Sequence, residues 1–170
     1  MSSWIREALV HGGALCVFMG VTIAASLWHN PKIWVHSAPP AVREQVGPID
    51  EQTRRQKNAW GVVMLVGLVA ILSHLIARVN AAANDGYSFE WVFLAVFVCF
   101  EVFNLFDALV IDVSLAVFEP KWAMIPGIDT TALRDPKWHF QAFLKGLIMG
   151  APFAAMVTGI GWIVCRLLAF

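Results

Sequence analysis

Charge is scarce in this chain. Only 14% of its 170 residues are Asp, Glu, Lys or Arg, while 59% are hydrophobic. Soluble domains carry about 25% charged and about 45–50% apolar residues, so the composition excludes an ordinary soluble fold and points to a membrane protein. Neither sign of charge is in excess, with 12 Lys and Arg against 12 Asp and Glu. That balance excludes the basic face of a nucleic-acid binder and leaves no polybasic patch for anionic lipid. Cysteine is also sparse. Cys16, Cys99 and Cys165 form no CxxC or CxxCH, so neither a disulfide framework nor c-type haem attachment is expected, and the thiols read as small packing residues. GxSxG, HExxH and glycine-rich phosphate loops are missing, as is the Glu-x-x-His pair of di-iron bundles. No repeat and no Pro/Gly/Ser linker divides the chain, so residues 1–170 read as a single transmembrane domain.

What is present is four apolar runs of bilayer length, at about 5–28, 60–79, 89–118 and 140–170; a span needs about 20 residues. The fold expected is all-α: an integral membrane four-helix bundle with two cytoplasmic loops. The first run is expected to be retained as a span rather than cleaved as a signal peptide. Lys32, Arg43, Arg54, Arg55, Lys57, Lys121, Arg134, Lys137 and Lys145 flank one side, against Arg6, Arg78 and Arg166 on the other. By the positive-inside rule both longer loops are cytoplasmic and both termini outside, with a short outer turn at 81–88. Prolines 31, 39, 40 and 48 forbid a long helix before Asp50, whereas 50–58 can prolong the second span into water. Trp28, Trp34, Trp60, Trp122 and Trp138 read as an interfacial collar marking membrane depth.

The third run carries Glu101, Asn104, Asp107 and Asp112. An Asp at mid-bilayer costs about 2.5–3.5 kcal/mol on the insertion scale, so these groups need partners or a use. On an ideal α-helix, with Glu101 at zero, Asn104 lies at about 300°, Asp107 at about 240° and Asp112 at about 20°. That is one face, expected to look into the bundle. Glu101, Asn104 and Asp107 are candidates for a ligand or ion site, or for a structural polar seam. Asp112, about 9 Å from the inner end, can meet His29, His36 and His139; Asp107, Asp112 and His139 are the catalytic candidates. No metal-ligand spacing accompanies them, so no metal is assigned.

His11 and His74 fall at matched depth near the outer face, on antiparallel spans. A bis-histidine tetrapyrrole would need that placement, with Gly12 and Gly13 leaving room for a flat ring; neighbour hydrogen bonding is the plainer alternative. In the fourth run Gly146, Gly150 and Ala154, then Ala155 and Gly159, recur every four residues, a spacing that lets helices approach closely. Internal packing, a homo-oligomer face and a partner-subunit face all use it.

The segments Phe103-Asn104-Leu105-Phe106-Asp107, Ile125-Pro126-Gly127 and His139-Phe140 with Phe143-Leu144-Lys145-Gly146 resemble those of an uncharacterised group of small four-span bacterial membrane proteins. The resemblance implies a bacterial inner-membrane setting and emphasises Asn104, Asp107 and His139, without implying a reaction or a cofactor. The function expected first is a non-catalytic accessory or assembly subunit of a membrane complex, with a buried polar seam. The alternatives are a lipid-binding or lipid-modifying protein with an Asp/His site at the inner interface, proton or cation translocation in an oligomer, and tetrapyrrole binding. The partners expected are membrane lipid and other subunits through span 4, not nucleic acid.

Overall fold

Four helices in this protein are long and apolar enough to cross a membrane. The computed structural model describes residues 3–82 and 88–168, apart from the side chains of residues 166 and 168; most of the expected outer turn lies outside them. Among the described residues there is no strand, in keeping with the all-α bundle. The first helix, α1 (Ser3–His29), leads into a 3₁₀ turn (Pro31–Ser37) and a short α2 (Pro40–Val46). Then come α3 (Glu51–Ala81) and α4 (Phe89–Phe106). A π-helical turn (Asp107–Asp112) joins α4 to α5 (Val113–Phe118), and after a second 3₁₀ turn (Thr131–Arg134) α6 runs from Pro136 to Leu168.

The helix ends follow local chemistry. The second spanning helix starts at Glu51, nine residues before the apolar run, because Asp50 caps it by accepting from the Thr53 N–H at 2.7 Å. The third ends at Glu119, which adopts a left-handed conformation with φ 40° and precedes Pro120, which disfavours helix at the residue before it. Pro136 opens α6, where a missing N–H costs nothing.

Within the bundle α4 is the hub. It packs on α1, α3 and α6, while α1 and α3 also pack on each other. Leu15, Leu75, Val92, Val96 and Cys99 are fully buried at this centre. In hydrocarbon, helix association rests on close packing rather than on escape from water. Gly12 supplies that closeness on α1, since a Cβ there would lie 2.9 Å from Val102 Cβ. Gly146 and Gly150 supply it on α6: a Cβ on Gly146 would overlap the Asn104 side chain, and one on Gly150 would overlap Glu101. Ala154, the next small residue on this stripe, is fully buried as well. Among the described residues α1 and α6 share no substantial interface, which leaves a cleft between them over one face of α4.

Candidate functional site

The loop-bearing end of that cleft is roofed. The 3₁₀ turn at Pro31–Ser37 folds back because Asn30 caps it and also binds Gln56 (2.7 Å) and Thr53 (3.2 Å) on α3. Trp34 is drawn inward by its indole N–H, which donates to Ser26 Oγ at 2.8 Å. The second loop is clasped to α2 through Gln45, whose Oε1 accepts from the Asp129 N–H at 2.9 Å. Glu119 anchors the same loop, accepting from the Thr130 hydroxyl at 3.1 Å and pairing with Arg134 at 2.9 Å.

Beneath this roof lies a cavity of about 260 Å³. Ile23, Leu27, Val42, Ile111, Leu115 and Ile128 are among its apolar walls, with Trp34 and Trp138 beside them. Its ionisable lining is Asp107, Asp112 and His139. An apolar pocket with a few convergent polar groups is the usual form of a small-molecule site.

The π turn explains how both aspartates reach it. Ideal α rotation separates Asp107 and Asp112 by about 140°. An i→i+5 turn instead brings residues five apart toward one side, and such turns recur at functional sites. His139, in the first turns of α6, completes the group. Its Nε2–H donates to the Leu133 carbonyl at 2.6 Å, which fixes the tautomer. Nδ1 then faces Asp112 Oδ2 at 3.0 Å, an ion-pair distance without the alignment of a hydrogen bond. A proton on either group would be shared across this contact, since an imidazole nitrogen and a carboxylate oxygen otherwise present lone pairs to each other. The arrangement can therefore hold a proton on the wall of a largely apolar chamber.

The other sequence candidates separate from this site. Glu101 and Asn104 face α6 instead. Asn104 Nδ2 donates to Glu101 Oε2 at 3.0 Å and to the Phe143 carbonyl at 3.3 Å. Glu101 Oε1 is buried without a hydrogen-bond partner among the described residues. His29 and His36 do not join Asp112: His29 lies beside Trp60, at a ring separation of 6.4 Å, and His36 binds the Ile33 carbonyl and stacks on Trp34. Among the described residues no three His, Cys, Asp or Glu side chains converge as metal ligands.

His11 and His74 do meet, at matched depth as expected, but they bind each other directly. His11 Nε2 and His74 Nδ1 are 2.8 Å apart, and His11 Nδ1–H donates to the Glu7 carbonyl at 2.7 Å. Two axial imidazoles trans to each other across a haem iron need about 4 Å between their nitrogens, twice a bond of about 2.0 Å. Val102 also occupies the space beside Gly12. The pair as packed does not fit a macrocycle between its rings.

Two of the collar tryptophans turn out to be cavity walls. Trp28 and Trp122 do face each other on the surface, with centroids 6.5 Å apart. Trp34 and Trp138 line the chamber. Apart from its loop position, nothing in the sequence distinguishes Trp34 from a surface anchor. Comparison with family models, curated proteins and solved structures found no match to this chain.

Proposed function

We propose that this multi-pass membrane protein binds an amphiphile from the surrounding bilayer, with one apolar chain in the cavity and its polar head at Asp107, Asp112 and His139. The observation that carries this reading is the lining of the chamber: aliphatic and indole walls, with two carboxylates and an imidazole as its ionisable groups. At about 260 Å³ the chamber lies just below the usual range of ligand pockets, about 300–1,000 Å³, which suits one chain segment and not a whole two-chain lipid. Should bond-making follow binding, the Asp112–His139 pair is placed to act as general acid or base on the head. The setting proposed is a bacterial inner membrane, with both loops cytoplasmic and both termini outside, from the nine-to-three Lys/Arg bias.

An assembly subunit docking through α6 is the competing reading. It is weakened because α4 already occupies Gly146, Gly150 and Ala154; Gly159, beside which a Cβ would meet nothing within 4 Å, remains open. Native mass spectrometry of protein extracted in patches of its own membrane tests the proposal. Wild type should retain lipid, and Ala116→Phe, which fills the chamber, should lose it at unchanged melting temperature. Equal retention by both would overturn the reading.

A further inference from the structure

Among the described residues that line the chamber none is Lys or Arg. Arg134, the cation in the roof's own network, is paired with Glu119. A phosphate or carboxylate head would therefore enter a site holding two carboxylates and no cationic side chain to receive it, whereas anion recognition ordinarily uses Arg or Lys. The opposite charge fits. Asp112 has the His139 imidazole beside it at 3.0 Å, whereas Asp107 has no basic partner among the described residues. A hydroxyl head would hydrogen-bond to Asp107 but leave its charge unbalanced. An ammonium would balance it, and Trp34 and Trp138 add aromatic walls of the kind that attract ammonium groups.

From this charge balance we infer that the chamber selects amphiphiles bearing a cationic, ammonium-type head over neutral or anionic ones of the same chain length. The inference rests on the amphiphile reading above.

Native mass spectrometry of the full chain in an uncharged maltoside, with dodecylamine, dodecanol and dodecyl phosphate in equimolar competition, tests it. Dodecylamine should exceed dodecyl phosphate in occupancy by about tenfold or more. Asp107→Asn should collapse that ratio, and Ala116→Phe should remove all three. If Asp107→Asn does not fold, the wild-type ratio decides alone. Equal occupancy by all three probes, lost in Ala116→Phe, would overturn the head selectivity and leave amphiphile binding standing. Binding of all three that persists in Ala116→Phe, or no binding at all, would overturn both. Tetramethylammonium, which has no chain, should not displace dodecylamine; displacement would reassign the site to a free cation and overturn the inference.

Discussion

Asn104 occupies the space that a side chain at Gly146 would need. The amide thus docks into a notch on α6 and seals it by donating to the Phe143 carbonyl one turn away. Gly150 and Glu101 repeat the arrangement one turn further along.

Substitutions at this notch should be costly on the glycine side. Gly150→Leu is expected to lower stability by about 1–3 kcal/mol, the usual range for overpacking, because the new side chain collides with Glu101 and Phe100. Glu101→Gln should be tolerated, since an amide oxygen can still accept from Asn104. Thermal melting of both variants in detergent checks the pair; an unaffected Gly150→Leu would mean that α6 does not sit as described.

The histidine pair makes a separate prediction. His74→Leu leaves His11, which is 6% exposed, without its ring partner. An unsatisfied buried polar group costs about 1–3 kcal/mol. The double variant His11→Leu/His74→Leu should be less destabilised than the single one, because it removes both polar partners. A double-mutant cycle by thermal melting measures the difference.

Much of this was legible in the chain. Four runs of bilayer length produced four long helices, since length and apolarity suffice to mark a span. The angular positions of Glu101 and Asn104 held, because α4 is regular up to Phe106. Asp107, Asp112 and His139 were legible as one group of candidates, and all three line the chamber; the π turn that swings the two aspartates together was not. No residue pattern in Asp107–Asp112 announces an i→i+5 turn, and α rotation puts the two apart. Nor could the sequence separate Trp34 and Trp138 from the surface tryptophans, or pair Gln45 with Asp129. Those contacts are made between loops far apart in the chain.

The roof should loosen in acid. Arg134, hydrogen-bonded to Glu119, holds that carboxyl below its ordinary value of 4.5, with Thr130 adding to the effect. A carboxylate whose pKa is lowered by folding contributes stability that is complete above the unfolded value and is lost as pH falls through the folded one. Hydrogen exchange in residues 119–135 should therefore accelerate as pH is lowered below about 4.5, after correction for intrinsic rates. In Glu119→Gln it should be faster at neutral pH and lack this acid step.

Orientation can be read directly. A cysteine introduced at Gln52, on the exposed first turn of α3, should react with an impermeant maleimide only after the cells are opened. Reaction in intact cells would invert the assignment of both loops.

The π turn gives the third span two angular frames. Up to Phe106 the helix is in phase with the glycine notch of α6; beyond Asp112 it is in phase with the roofed chamber. An α-helix of fixed pitch could be set for one of these surfaces but not independently for both. Loss of a single residue between 107 and 112 would return the span to one frame, turning everything after it by about 100°. The notch would survive such a deletion while the chamber lost an aspartate, so the two surfaces of this helix are separable by one codon.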